Sequence, residues 1–241
     1  VKRNSASING IHISYVDSIV GSKTIVIFHG FLFSAHLYLC LAQQLIDKGF
    51  RVIIPDLPGH GQSEPMDPNI SLTDMADHMF ELIETLVGSE QKVTIIGHSM
   101  GGLVGFYFAQ RHAKRINRLV LLNSSGLAYI NRNVFGWLFA AATKTVRGYK
   151  TPVTVLKIFY EVAKNVLQHP QYLLRTAHVV INTLVWPENL LCQVSVFCAS
   201  DDDFYPWQTV DVYMKVVVQN QSHDWPVLNP SHVVETLNDY L

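Results

Sequence analysis

Apolar residues along this chain fall into two alternating rhythms. Short continuous runs, rich in β-branched residues, recur at Thr24 to Phe28, Arg51 to Ile54, Val93 to Ile96, Leu119 to Leu122, Val194 to Cys198 and Lys215 to Gln219. Strands look like this when helices cover both faces of a parallel sheet. Between them lie helical patterns, at Leu37 to Ile46 and at Leu103 to Gln110. Leu72, Met75, Ala76, Met79, Leu82, Ile83 and Leu86 form a stripe on one helix face, and Ser71 with Asp74 has the spacing of a capping box at its start. Val233, Val234, Leu237 and Leu241 predict a closing helix after Pro230. Ile8, Ile11, Ile13 and Tyr15 flank Asn9-Gly10, which predicts an opening hairpin. The alternation predicts an α/β fold with a doubly wound, mostly parallel sheet.

One stretch breaks the rhythm. From Leu127 to Asn189 there are helix-length apolar patches, Phe135 to Thr145, Val153 to Leu167 and Tyr172 to Leu184, punctuated by Pro152, Pro170 and Pro187. Such a long connection inside a compact domain is usually functional. We expect a core domain of residues 1–126 and 190–241, with a helical cap inserted at 127–189. The alternative is a set of ordinary sheet-flanking helices.

Composition narrows the function classes. An apolar content of 49% against 15% charged residues predicts a packed globule rather than a disordered chain. A formal net charge of −1, with no basic block, speaks against a nucleic-acid partner. Cys40, Cys192 and Cys198 show no metal spacing and read as reduced, buried thiols. The opening residues do not read as a secretory signal, so a cytoplasmic location is the expectation. Val134 to Ala142, the longest strongly apolar stretch, is too short to span a bilayer. Contact with a membrane surface through it is the less favoured partner, and the sequence leaves the oligomeric state open.

The candidate chemistry begins at Gly97-His98-Ser99-Met100-Gly101, a G-x-S-x-G between a predicted strand and a predicted helix. A turn this tight exposes its central serine at the sheet edge, and glycine on either side lets strand and helix approach. A serine hydroxyl needs a base to take its proton, and the base needs an acid to hold its tautomer. Among 11 histidines, His223 stands on a short polar loop after the last predicted strand, where a base belongs. The acid candidates are Asp201, Asp202 and Asp203, directly after the strand ending at Cys198. Asp202 is the first choice because Pro206 completes D-x-x-x-P; Asp203 ranks second and Asp201 third.

These residues carry a family resemblance. Phe28-His29-Gly30-Phe31, Asp56-Leu57-Pro58-Gly59-His60-Gly61-Gln62-Ser63, the Gly97–Gly102 elbow, Asp202 to Pro206 and His223 to Pro230 occur in order. In these marks the chain resembles the α/β-hydrolase superfamily, close to its capped esterase and monoacylglycerol-lipase-like branch. The order nucleophile, acid, base agrees with that fold. The resemblance implies an oxyanion hole from the backbone N–H groups of Phe31 and Met100. It also implies loop support from His29 and His60. His29, His98, Phe135, Trp137 and Phe139 are candidate pocket residues. Ser222 stands where the family often has glycine before the histidine.

The expected function is that of a serine hydrolase cleaving a carboxylic ester with a small to medium hydrophobic acyl group, with no metal or organic cofactor. The same residues also suit a C–C bond hydrolase, a thioesterase or a lactonase. A reading from another class is a hydrolase-like ligand-binding receptor with little turnover. Relatives that open epoxides or remove halogens place Asp where this chain has Ser99.

Overall fold

The computed structural model describes every residue except 68, 70, 129–151, 213 and 214. Eight strands form one sheet in the order β1-β2-β4-β3-β5-β6-β7-β8. They are β1 (Lys2–Ile8), β2 (Ile11–Asp17), β3 (Lys23–Phe28), β4 (Phe50–Pro55), β5 (Val93–His98), β6 (Ile116–Leu122), β7 (Gln193–Ala199) and β8 (Val216–Val218). The hairpin β1–β2 is antiparallel and joins β4 antiparallel; β4, β3, β5, β6, β7 and β8 run parallel. Asn9 and Gly10 both take positive φ in the hairpin turn, as an Asn-Gly pair does with least strain.

Alternation along the strands divides the core in two. Ile25 and Ile27 of β3 join one apolar cluster with Val52, Ile54, Ile96, Val120, Leu122 and Phe197. Val26 and Phe28 join the other, with Ile53, Ile95, Leu119, Leu121 and Val196. Side chains two apart share a sheet face, so each continuous apolar run supplies both layers.

Helices cover the two layers. α1 (Leu39–Asp47), α6 (Trp225–Leu228) and α7 (Pro230–Thr236) supply Leu41, Leu45, Trp225, Val233 and Val234 to the first cluster. α2 (Leu72–Val87) and α3 (Met100–Arg111) supply Met75, Met79, Leu82, Leu103 and Phe108 to the second. At the start of α2 the Ser71 hydroxyl accepts from the Asp74 N–H, and the Asp74 carboxylate accepts from the Ser71 N–H. The expected capping box is therefore formed.

Of residues 127–189, the described part contains α4 (Pro152–Gln168) and α5 (Pro170–Asn182). Ile158 of α4 packs in the first cluster, and Leu173, Ala177, Val180 and Ile181 of α5 pack in the second. The patch Phe135 to Thr145, with candidate pocket residues Phe135, Trp137 and Phe139, lies outside the described residues.

Two local expectations are corrected. Cys40 is exposed rather than buried, because its place near the start of α1 faces outward. All three cysteines are free thiols, and burial pushes Cys198 up to about 11. The last strand spans only Val216–Val218, shorter than the apolar run that predicts it.

Candidate active site

Three parallel strands end at one place. β5 delivers Ser99, the loop after β7 delivers Asp202, and the loop after β8 delivers His223. This is the carboxyl edge of the sheet, where open α/β sheets gather their ligands. Ser99 occupies φ 52°, ψ −119° at the head of α3, a conformation that non-glycine residues rarely adopt. Close packing enforces it. A Cβ on Gly101 would lie 2.1 Å from the Phe28 carbonyl oxygen, and one on Gly97 would lie 2.5 Å from the Gly101 carbonyl oxygen. Both contacts are to backbone, so neither position can carry a side chain without moving the turn.

The side chains meet in series. Ser99 Oγ is 3.0 Å from His223 Nε2, and His223 Nδ1 is 2.8 Å from Asp202 Oδ2. A carboxylate accepts, so Nδ1 carries the proton and Nε2 offers its lone pair to the serine hydroxyl. Asp202 Oδ1 accepts from the N–H groups of Phe204, at 2.8 Å, and Tyr205, at 3.0 Å. These bonds single out Asp202 from its neighbours, since Asp201 and Asp203 are exposed. Burial alone depresses the His223 pKa, but the charge and hydrogen bond of Asp202, with the charge of Asp224, more than offset it, and the net shift is upward. Rings of Phe204, Tyr205 and His98 surround the imidazole at centroid distances of 4.9, 5.6 and 5.1 Å.

His29 and His98, two of the candidate pocket residues, are both fully buried and engaged at both ring nitrogens. His29 Nε2 accepts from the Leu57 N–H at 2.9 Å, while Nδ1 lies 2.8 Å from the Gly30 carbonyl and donates to it. The Tyr38 hydroxyl accepts from the Gly30 N–H and lies 2.6 Å from His98 Nδ1, and His98 Nε2 lies 3.0 Å from the His223 carbonyl oxygen. Burial holds both imidazoles below the usual histidine pKa, which favours their neutral forms. His60 is also buried and pressed down to about 3; its Nδ1 donates to the Pro58 carbonyl and its ring meets that of Phe31.

Several contributors were not singled out in the sequence. Asn123, at φ 44° after β6, donates from Nδ2 to the carbonyls of Ser222 and His223 and accepts at Oδ1 from the Ala199 N–H. It thereby ties the end of β6 to the end of β7 and to the loop after β8. The Tyr205 hydroxyl donates to Ser125 Oγ at 2.7 Å, and Ser125 Oγ lies 3.4 Å from Ser99 Oγ. The available signal is the polar run Asn123-Ser124-Ser125-Gly126 directly after a buried strand, at the edge where sites form.

Met100 is the first residue of α3, so its N–H has no acceptor one turn earlier in the helix. Phe31 follows His29-Gly30 in a turn closed by the Phe33 N–H on the Gly30 carbonyl at 3.2 Å. Among the described residues, the one cluster with metal-ligand spacing is His98, His223 and Asp224. Its imidazole nitrogens are already engaged by Tyr38, the His223 carbonyl, Asp202 and Ser99, so it makes a poor cation site.

A family model described as the alpha/beta hydrolase fold matches residues 23–153, more than half of the chain. The chain belongs to that family. Over 123 residues it is 34% identical to a soluble epoxide hydrolase of Corynebacterium sp. (strain C12), covering 51% of this chain and 42% of the relative. Over 83 residues it is 35% identical to a 2-hydroxymuconate semialdehyde hydrolase of Pseudomonas sp. (strain CF600), covering 34% of this chain and 29% of the relative. The matches thus span less than half the length of these curated relatives. Among solved structures, an esterase from Thermogutta terrifontis superposes with a TM-score of 0.76 at 20% identity, covering 100% of this chain and 98% of that one. Likeness at that identity speaks for the fold.

Proposed function

We propose that this chain is a serine hydrolase that cleaves carboxylic esters with small to medium hydrophobic acyl groups. The observation that carries the reading is the unbroken series Ser99 Oγ, His223, Asp202, at 3.0 and 2.8 Å, with the serine held on a strained elbow. In this mechanism His223 Nε2 takes the Ser99 proton as Oγ bonds to the carbonyl carbon, and the carbonyl π electrons move to oxygen. The N–H groups of Phe31 and Met100 stabilise that oxyanion; removing one such donor typically costs about 2.7–4 kcal/mol of barrier. The imidazolium returns its proton to the leaving alcohol as the C–O bond breaks. Water, deprotonated by the same imidazole, then attacks the acyl carbon, and the imidazolium returns that proton to Ser99 Oγ as the acyl–Oγ bond breaks. No step calls on a metal or organic cofactor.

Two further points support a small-molecule acyl substrate. The chain's family includes the Pseudomonas relative, named as a hydrolase of a semialdehyde, and the fold matches a named esterase. The first of these favours a second reading, hydrolysis of a C–C bond by the same serine. The epoxide hydrolase reading fits less well, because Ser99 stands where such chemistry uses a carboxylate. We place the inserted helices α4 and α5 as a cap beside the site, since their apolar residues share clusters with Phe31 and Met100 on one side and Phe33 and Tyr38 on the other.

The test is a panel of p-nitrophenyl esters and thioesters of graded chain length, run beside a fluorophosphonate probe. Ser99 labelling and ester turnover, both lost in Ser99→Ala, are expected. Labelling without turnover of any ester would move the reading to the C–C substrate class, and absence of both would leave a binding protein.

A further inference from the structure

Helix α4 buries a mixed face. Leu156, Phe159, Tyr160 and Leu167 are exposed, while the polar Glu161 and Asn165 are buried beside Ile158. Glu161 and Asn165 are four apart and so share one face. That face meets the loop carrying Phe31. Asn165 Nδ2 donates to the Leu32 carbonyl at 2.7 Å and to the Phe33 carbonyl at 3.3 Å, and Oδ1 accepts from the Gly61 N–H at 2.8 Å. Glu161 Oε2 accepts from the Ser34 hydroxyl at 2.9 Å.

The loop needs such support. Leu32 sits at φ 64° in the third position of the Gly30–Phe33 turn, a place usually filled by glycine or asparagine. A leucine there is strained and persists only when its surroundings over-determine the turn. Its side chain is buried in the core, which keeps leucine in the position. The backbone conformation is then left to the carbonyl contacts, and a single buried amide supplies two of them.

We propose that Asn165 is a positioning residue for the oxyanion hole: from the inserted helix it holds Leu32 in the left-handed conformation and so aims the Phe31 N–H at the substrate oxygen. The proposal rests on the ester-hydrolase reading for its catalytic consequence, but the turn itself can be tested without substrate. The arrangement makes the hole depend on α4 being seated, since Asn165 makes all three contacts from that helix.

Asn165→Asp keeps the shape and the acceptor for Gly61 but loses both donors. The expected result is a kcat loss of about 10²–10³-fold, the scale for a lost oxyanion donor, with KM little changed. Affinity for a trifluoromethyl ketone that mimics the tetrahedral intermediate should fall in parallel with kcat/KM. Hydrogen exchange at the Phe33 amide, which closes the turn, should accelerate. Asn165→Ala is read in the same way if the aspartate variant does not fold. The decisive step is Leu32→Gly added to the Asn165 variant. Glycine takes positive φ without strain, so it should restore kcat by about tenfold or more and slow the Phe33 exchange. Wild-type kcat in the Asn165 variant, or loss of activity that Leu32→Gly leaves unrelieved in both kcat and exchange, would overturn the proposal. A wild type that neither labels nor turns over defeats the ester reading alone, and the exchange measurements still decide the turn.

Discussion

Ser99 shows how much a single residue's environment is asked to do. Its φ of 52° is held by contacts that leave Gly101 no room for a methyl group. Gly101→Ala drives a Cβ into the Phe28 carbonyl, so it should cost at least about 1–3 kcal/mol and slow fluorophosphonate labelling; a melting curve and a labelling time course check both. The base makes the second prediction at this scale. In the proposed mechanism only neutral His223 can take the serine proton, and its pKa is raised above 6.5, chiefly by Asp202 working against burial. Ester turnover should therefore fall as pH drops through that raised value. Asp202→Asn removes the charge, which shifts the acid limb of kcat/KM to lower pH, and allows the wrong tautomer, which should lower kcat by about 10⁴-fold. A pH–rate profile of both proteins tests the sign and the size.

The elements divide into those whose sequence pattern agrees with their surroundings and those whose pattern conflicts. α2 belongs to the first kind. Its stripe from Leu72 to Ile83 faces the core, and the Ser71–Asp74 box closes its first turn. Ser71→Ala should destabilise the protein by about 1 kcal/mol, lowering Tm by about 2–4 °C with turnover at 25 °C unaffected. α4 belongs to the second. Its periodicity correctly predicts a helix, but an apolar stripe is normally read as the buried face, and here Leu156, Phe159 and Tyr160 are exposed while Glu161 and Asn165 point inward beside Ile158. Their partners are two carbonyls, a backbone N–H and a hydroxyl more than 100 positions away in the chain, so no local pattern could reveal the orientation. Local rules tend to fail in this manner where function has displaced packing.

At the scale of the molecule, one carboxylate joins the amino-terminal hairpin to the body. The fully buried Asp56 side chain accepts from Arg3 at 2.6 Å, from the Ala35 N–H at 2.7 Å and from the Gln62 N–H at 3.0 Å. Asp56→Ala would strand two backbone donors, each costing about 1–3 kcal/mol, whereas Arg3, partly exposed, can be solvated. Asp56→Ala should thus destabilise more than Arg3→Ala in a denaturant titration. The sheet, its flanking helices and the elbow were legible in the chain, because strand runs, helix stripes and glycine spacings are local and each has its own physical cause. Ser99 and His223 could be named from position alone, since loops after parallel strands gather at one edge. Other features had no local signature: the burial of His29 and His98, and the work of Asn165. Each depends on which backbone N–H or carbonyl a folded loop brings within hydrogen-bonding reach. Periodicity and spacing determined the scaffold, and tertiary packing alone decided which polar groups found partners.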